Sequence, residues 1–308
     1  MQGLVRTYRY LPAQPQASLP EPEPIDYREK LLASVERLPP LPLVLNQLLR
    51  VLNDQDASAG QIAALIEKDS VLSGSVLRCV NSAYYGLPSK VSSIRHAVTL
   101  LGFNTVRNLA LAFSMRQMLG RQKQLPSRIY SSYSQHALAC GVMAQFLAHY
   151  VRSDDMDAAF AAGLFHDIGK LLMLTTFPEV VNEAMSHWES GDGPYEDSEM
   201  AFFHLTHSEL SNIILEKWEL PEPIRNAVLH HHHPDRCAAA EPGAITLVHL
   251  VHAADCYVRS LGIETLTSAT HPPEAPDAAF EAIGLAGRLP EFLDRFQTQF
   301  ESIRGLFA

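Results

Sequence analysis

The sequence has 308 residues, of which 47% are hydrophobic and 19% are charged, and its formal net charge is −10. These values exclude a wholly disordered chain and allow one large domain or two smaller ones. The negative charge argues against a protein that coats nucleic acid over its whole surface. The four cysteines, Cys79, Cys140, Cys237 and Cys256, form no CxxC pair. We therefore expect reduced thiols, with neither a disulfide framework nor a zinc-thiolate site.

The N-terminal segment is rich in proline. Five of the 20 prolines fall within the first 25 residues, where few residues could be buried, so we predict a disordered tail over 1–27. The N-terminus lacks the apolar stretch of a secretory signal. No window has the roughly 18 uninterrupted apolar residues that a membrane-spanning helix needs, and the richest, 136–151, contains two histidines. We predict a cytoplasmic protein without membrane contact.

The remainder of the chain shows helical periodicity. Between 43 and 52 the apolar residues recur at three- and four-residue spacing, whereas strand-like alternation is scarce. Ser58 and Gln61 have the spacing of a capping box. A Gly-Phe-Asn turn divides 93–118 into two helices, the second capped by Asn104. Further helices are predicted over 71–83, 129–151, 155–173, 178–189, 197–217, 221–231 and 243–261, with weaker ones after 277. The predicted fold is all-α.

One stretch, from Ser70 to Ser153, contains no Asp or Glu. Its nine basic residues are Arg78, Lys90, Arg95, Arg107, Arg116, Arg121, Lys123, Arg128 and Arg152. One interpretation is a chance depletion of acidic residues, and the other is a basic surface for a phosphate-bearing small ligand or an acidic partner. Residues 93–118 also have a helix-turn-helix shape. Because the second of those helices is largely apolar, core packing explains it better than DNA binding, which we do not expect.

A polar pair, His166 and Asp167, interrupts the apolar segment AAFAAGLFHDIGKLLML. Burying an aspartate costs several kcal/mol unless it is hydrogen-bonded or binds a metal. Lys170 lies one helical turn further on and shares the same face. Taken alone, the pair would be explained by an ordinary helix end. Further histidines and an aspartate lie on other predicted helices, and metal sites in helical bundles are built from such ligands.

Several segments resemble a known family. The order His136, His166-Asp167, Asp255 resembles the H…HD…D signature of the HD-domain phosphohydrolase superfamily. The segments LPPLPLVLNQLL, ALIEKDSVLSGSVLRCVNSAYYG and SSIRHAVTLLGFNTVRNLAL resemble the N-terminal half of the HDOD domain, the HD-related output domain of bacterial signalling proteins. KWELPEPIRNAVLHHHHPD resembles its later W-x-L-P…HH-x-P segment. The resemblance runs from about Leu38 to Leu261.

The resemblance implies a domain organisation. An HDOD domain over 28–262 would consist of two packed helical lobes, and the second would be an HD-like helical bundle. The N-terminal lobe would cover 28–128 and the HD-like lobe 129–262. A helical C-terminal extension over 263–308 would follow.

The resemblance also implies a site for two divalent metal ions. Mixed nitrogen and oxygen donors suit iron, manganese, zinc, nickel or cobalt better than calcium, and we favour iron or manganese. The full ligand set, extended by its similarity to the HD-GYP branch, is His136, His166, Asp167, His207, His231, His232 and Asp255. Asp167 is the expected shared ligand, because a carboxylate has two oxygens and an imidazole presents one lone pair. His136, His166 and Asp255 would join it on one metal, and His207, His231 and His232 on the other. The alternative is a relic polar core that binds no metal.

The function implied first is that of a signal-transduction or regulatory module with a protein partner, because HDOD domains have no established common reaction. The alternative is a metal-dependent phosphohydrolase in which Asp167 and Lys170 take part in catalysis, the lysine by neutralising a phosphate oxygen. Pro234-Asp235-Arg236 follows the histidines where the HD-GYP branch has its glycine-rich GYP loop. Specificity for cyclic-di-GMP is therefore not expected.

Overall fold

The computed structural model describes residues 25–50, 58–82, 85, 87–120, 126–153, 156–237, 244–268, 270–273 and 275–288, together with 296, 297, 300 and 304. Among these residues the regular secondary structure is entirely helical. The all-α prediction is confirmed.

The helices of the first half are α1 (Tyr27–Arg37), α2 (Leu43–Arg50), α3 (Ala59–Glu67), α4 (Ser70–Val80), α5 (Ile94–Leu101) and α6 (Phe103–Gly120). Those of the second half are α7 (Ser127–Tyr150), α8 (Met156–Phe165), α9 (Ile168–Thr176), α10 (Pro178–Ser190), α11 (Tyr195–Phe203), α12 (His207–Lys217), α13 (Glu222–His230), α14 (Leu247–Ser260) and α15 (Asp277–Ala282). A short 3-10 helix covers Pro234–Arg236.

The single helix predicted over 155–173 is wrong, because α8 ends at Phe165 and α9 begins at Ile168. The backbone N–H of Gly169, in the first turn of α9, donates to Ser211 Oγ at 2.8 Å. A helix start leaves such N–H groups without backbone partners, so this side chain from α12 stabilises the interruption. The break lets His166 and Asp167 occupy a turn between the two helices.

The helix predicted over 197–217 is also two helices. His204 adopts a left-handed conformation with φ of 50° at the end of α11. Thr206 then caps α12 through a capping box with Glu209, a T-x-x-E pattern that marks a new helix start. The Asn104 cap is likewise wrong, because α6 already begins at Phe103, which places Asn104 inside the first turn.

Helix α1 connects the start of the described chain to its second half. Asp26 caps it by accepting a hydrogen bond from the backbone N–H of Glu29 at 2.9 Å. The predicted tail over 1–27 lies outside the described residues except for its last three. Although the sequence prediction groups α1 with the N-terminal lobe, it packs on α9, α11 and α12. The Tyr27 ring lies 5.2 Å from that of Phe177.

The rest of the first half packs around α6. This helix contacts α2, α4 and α5 on the N-terminal side and α7 and α8 on the other, so it joins the two halves. Its apolar residues Leu109, Leu111, Phe113 and Met115 are buried. Residues 106–118 of this helix are all buried or partly buried, so this part of the helix has no exposed face to place in a DNA groove.

Helix α7 is the centre of the second half, where it packs along α8 and α14. The contact with α8 is close, because a Cβ atom at Gly163 would lie 2.6 Å from the carbonyl oxygen of Cys140. Only glycine permits this approach without displacing backbone. The close packing brings His136, one turn before Cys140, next to the end of α8.

The C-terminal extension packs on α14. The Tyr257 ring of α14 lies 5.8 Å from the ring of Phe280 in α15 and 5.5 Å from that of Phe296. Burial of these aromatic rings stabilises the helix that carries Asp255. Beyond 288 the structure describes only residues 296, 297, 300 and 304, and all four are helical.

One apolar stretch, Ala158–Thr176, has the length and composition to cross a membrane. This stretch is not residues 136–151, which the sequence predicts to be the most apolar window. In the structure 83% of this stretch is buried inside the protein, and the turn at His166 and Asp167 divides it. These features are typical of core helices.

Candidate metal centre

The seven predicted ligands come from separate parts of the second half and meet at one point. His136 lies on α7, His166 and Asp167 form the turn between α8 and α9, and His207 begins α12. His231 and His232 directly follow α13, and Asp255 lies on α14. Six of the seven are buried, and His232 is partly exposed. Helix ends and turns thus supply five of the ligands, and helix interiors supply His136 and Asp255.

The first group of side chains contains His136, His166 and Asp255, which the sequence assigns to one metal. His136 Nε2 lies 3.2 Å from His166 Nε2 and 3.3 Å from Asp255 Oδ1. His166 Nε2 lies 3.7 Å from the same oxygen. Cys140, which the sequence analysis did not include, joins this group, and the potential ligand atoms of the four residues lie within 4.8 Å of one another.

The second group contains Asp167, His207, His231 and His232, whose potential ligand atoms also lie within 4.8 Å of one another. Asp167 Oδ1 is 3.3 Å from His207 Nε2 and 3.8 Å from His231 Nε2. His207 Nε2 is 3.1 Å from His232 Nε2. This is the membership that the sequence assigns to the second metal.

Asp167 lies between the two groups. Besides its contacts with the second group, its Oδ1 is 3.6 Å from His166 Nε2 and its Oδ2 is 3.5 Å from His136 Nε2. No other carboxylate in the cluster approaches histidines of both groups this closely. The position suits the bridging ligand that the sequence analysis expects.

The histidine rings are oriented by bonds on their outer sides. The Nδ1–H groups of His136, His166 and His231 donate to the carbonyl oxygens of Ile263, Gly163 and Val228, at 2.8, 2.8 and 2.6 Å. Because a carbonyl can only accept, each Nδ1 carries the hydrogen and each Nε2 lone pair faces the cluster in the neutral ring. Metal-binding histidines are held in the same way.

The spacing of the donors fits a metal ion. Zinc–nitrogen and zinc–oxygen bonds near 2.0–2.1 Å place the corners of a tetrahedron about 3.3 Å apart, close to the 3.2 and 3.3 Å observed in the first group. Three buried atoms that face the cluster have no hydrogen-bond partner: Asp167 Oδ1, His231 Nε2 and Asp255 Oδ1. An unsatisfied buried polar group costs about 1–3 kcal/mol. A cation in each group would satisfy these atoms, with Asp255 in the first group and Asp167 and His231 in the second.

Most ionisable side chains of the cluster favour the protonation state that binds metal ions. Burial raises the pKa of Asp167, but His166 and Lys170 outweigh it and hold that pKa well below its usual range. Burial lowers the pKa of His231 well below normal, and the nearby His166 and His207 lower it further. Ionised carboxylates and neutral imidazoles are the forms that bind metals.

His136 differs from the other histidines. Burial lowers its pKa, yet contacts with Cys140, Asp167 and Asp255 raise it well above normal. In the absence of a metal, the His136 ring beside the carboxylates therefore favours its protonated form. Because a metal binds the neutral ring, metal binding there releases that proton.

Lys170 lies at the rim of the cluster and is partly exposed. Its Nζ donates to Asp167 Oδ2 at 2.8 Å, as their spacing along α9 predicts. Burial lowers the pKa of Lys170, but the Asp167 and Asp255 carboxylates outweigh it and raise that pKa, so the ammonium stays charged. It stabilises the orientation of Asp167 and adds one positive charge beside the candidate metal centre.

Glu199 of α11 was not predicted from the sequence. This side chain is buried, and its Oε2 accepts hydrogen bonds from both Nδ1 and the backbone N–H of His207, at 2.7 and 2.9 Å. It therefore orients His207 as the carbonyls orient the other ligand rings. The buried glutamate lies eight residues before His207 on a different helix, a spacing with no recognisable motif.

The other histidines have local roles. His252 Nδ1 donates to the carbonyl oxygen of His231 at 2.7 Å and so supports the segment that carries His231 and His232. His249 completes a capping box with Thr246 at the start of α14. His233 pairs with Glu196 at 3.2 Å. None of the three belongs to either ligand group.

We expect Glu199→Gln to weaken binding of the second metal by roughly 10–100-fold, the usual effect of losing a carboxylate that orients a ligand histidine. The amide lacks the negative charge that increases the basicity of the His207 ring. Isothermal titration with Mn²⁺ or Zn²⁺ measures the effect. Glu209→Gln is the matched control, because glutamine can replace glutamate in the capping box of the same helix and should leave metal binding unchanged. Equal affinities for both variants would contradict the role of Glu199.

Two bacterial proteins are similar in sequence. An uncharacterised protein of Treponema pallidum (strain Nichols) is 26% identical over 212 residues, which are 66% of this chain and 40% of that protein. The uncharacterised protein YuxH of Bacillus subtilis (strain 168) is 31% identical over 72 residues, 23% of this chain and 18% of its own. The chain thus spans less than half the length of either relative.

Two solved structures share the fold. An HDOD domain protein of unknown function from Geobacter sulfurreducens superposes with a TM-score of 0.76 at 20% identity, covering 92% of this chain and 97% of the other. A candidate phosphohydrolase from Shewanella amazonensis SB2B superposes with a TM-score of 0.70 at 22% identity, covering 90% and 98%.

The family assignment comes from the sequence. The HDOD domain model matches residues 38–234, which include the N-terminal segments and every predicted ligand except Asp255. Because this match covers more than half of the chain, the chain belongs to the HDOD domain family.

Proposed function

We propose that the protein is a signal-transduction or regulatory module whose HD-type centre holds two divalent metal ions. The observation that carries this proposal is the burial of the centre. The side chains of His166, Asp167 and His207 are at most 1% exposed, and those of His136 and Asp255 at most 3%. Such a centre suits metals that stabilise a fold or a regulatory state.

The contrast between structural and catalytic metal sites supports this choice. Structural sites are closed by protein ligands, whereas hydrolytic sites keep a coordination position open to water and substrate. A phosphodiester would have to pass the enclosing helices to reach the carboxylates of this centre. The bound ions would contribute charge neutralisation among buried aspartates and histidines, and thereby folding stability.

A metal-dependent phosphohydrolase is the second candidate. It is supported by the partly exposed edge of the centre, where Lys170 and His232 lie. In that case two metals would activate water and hold the phosphate oxygens. Lys170 would then contribute charge near the transferred group while holding Asp167 at 2.8 Å. The segment Pro234–Arg236 forms a short 3-10 helix after the histidines, and we do not propose cyclic-di-GMP as the substrate.

A protein partner, or a phosphate-bearing small ligand, would bind outside the metal centre. The basic residues from 70 to 153 do not form a uniform surface, because Arg107 is buried and Arg116 is partly buried. Arg121 and Lys123 lie outside the described residues. Arg78, Lys90, Arg95, Arg128 and Arg152 are exposed and are available to such a partner. No disulfide joins the cysteines that the structure describes, in keeping with the proposed cytoplasmic location.

A hydrolysis assay tests the choice between the two functions. We expect protein purified without a histidine tag to contain metal by elemental analysis yet to show no turnover when loaded with iron or manganese. The substrates are bis-p-nitrophenyl phosphate and a panel of cyclic and linear nucleotides. Metal removal should lower the melting temperature, because bound ligands stabilise the folded state. Turnover that disappears in Asp167→Asn would instead establish the phosphohydrolase.

A further inference from the structure

Cys140 lies on α7 one helical turn after His136, and both side chains face the centre. Its Sγ is 3.7 Å from His136 Nε2, and it falls within the same 4.8 Å group as His166 and Asp255. The residue is buried. We propose that Cys140 is a ligand of the first metal and binds it as a thiolate. This inference rests on the metal centre of the proposed function.

The distance to His136 agrees with shared coordination. A zinc–sulfur bond near 2.3 Å and a zinc–nitrogen bond near 2.0 Å separate the two donor atoms by about 3.5 Å in a tetrahedral site. The observed separation is 3.7 Å. The i,i+4 spacing alone can produce such a distance, because Cys256 Sγ lies 3.8 Å from His252 Nε2. Cys140 is distinguished by its further proximity to His166 and Asp255, whose potential ligand atoms lie within 4.8 Å of its sulfur.

Asp255 provides independent support for a cation at this position. Its Oδ1 is buried without a hydrogen-bond partner, although it lies 3.3 Å from His136 Nε2 and 3.7 Å from His166 Nε2. Two ring nitrogens and a carboxylate oxygen therefore converge on one volume, and the sulfur of Cys140 lies beside it. A cation in that volume would contact all four donors.

The sulfur donor changes which metal suits the first site. Thiolates favour zinc, iron and cobalt, whereas manganese and magnesium prefer oxygen donors. The first site should therefore discriminate against manganese, and the second, which has only nitrogen and oxygen donors, should not. The thiol proton is released to solvent when the metal–sulfur bond forms.

Cobalt spectroscopy tests the assignment without an activity assay. Metal-free full-length protein is titrated with Co²⁺, and cobalt content is measured alongside the absorption spectrum. We expect a thiolate-to-cobalt charge-transfer band in the near ultraviolet. Cys140→Ser should bind cobalt without this band. Cys140→Ala, which adds no hydroxyl to the core, should behave in the same way and covers the case in which the serine variant does not fold.

Cys256→Ser is the matched control. Cys256 is also buried one turn after a histidine, with its Sγ 3.8 Å from His252 Nε2, but it belongs to neither ligand group. This variant should keep the band. A wild-type protein that binds cobalt without the band, or a band that survives in Cys140→Ala, would overturn the role of Cys140 alone. If neither the wild-type protein nor any variant binds cobalt, the proposed metal centre is overturned as well.

Discussion

Asp167→Asn is expected to abolish binding of both metals. The Asp167 carboxylate approaches His136 and His166 of the first group at 3.5 and 3.6 Å, and His207 of the second at 3.3 Å. An amide carries no negative charge and has one oxygen, so it cannot bridge two cations. The change also leaves the Lys170 ammonium, 2.8 Å away, without its counterion. Elemental analysis of untagged protein measures the loss.

Two other variants identify the cause of that loss. His231→Ala should remove mainly the second metal, because its Nε2 belongs to the second group. Asp235→Asn makes the same chemical change at an exposed position near the histidines and should retain both metals. If Asp167→Asn retains one metal at full affinity, Asp167 is not the bridging ligand. If His231→Ala loses both, the two sites do not bind independently.

Some ligand positions could be predicted from sequence because they are polar residues in an apolar setting, whereas His231 and His232 lie in a run of four histidines and were expected from the resemblance. His136, His166 and Asp167 stand out in segments that are otherwise typical of buried helices, so burial required a compensating partner. Their convergence could be expected only from the resemblance to the HD signature, since spacing along separate helices does not fix their relative positions. The structure brings all seven together.

Two further residues of the centre could not be predicted in this way. Glu199 and Cys140 look like an ordinary helical glutamate and an ordinary core cysteine, and their importance depends on packing between helices distant in sequence. The break at Thr206 had a usable signal, the capping box with Glu209. The break before Ile168 had no such signal. The side chain that accepts from the N–H of Gly169 is that of Ser211, 42 residues further along the chain.

The second large effect is expected from Gly169→Ala. A Cβ atom at this position would lie 2.2 Å from the carbonyl oxygen of His207 and 3.0 Å from the backbone nitrogen of Ser211. Both are backbone atoms of α12, so the helix itself must move away from α9. Overpacking of this kind costs about 1–3 kcal/mol. Because α12 carries His207 and Gly169 is two residues from Asp167, the displacement should also weaken binding of the second metal.

Gly74→Ala is the control that tests whether this loss depends on the site and not on the substitution. Gly74 lies within α4, where the nearest atom to a new Cβ is the end of the Arg78 side chain at 3.7 Å. Alanine there should stabilise the protein by about 0.5–1 kcal/mol, the usual gain when glycine is replaced in a helix. Urea unfolding of the metal-free proteins should therefore give shifts of opposite sign for the two variants. Equal shifts would mean that α9 and α12 can separate without cost, and that their close contact does not position His207 against Asp167.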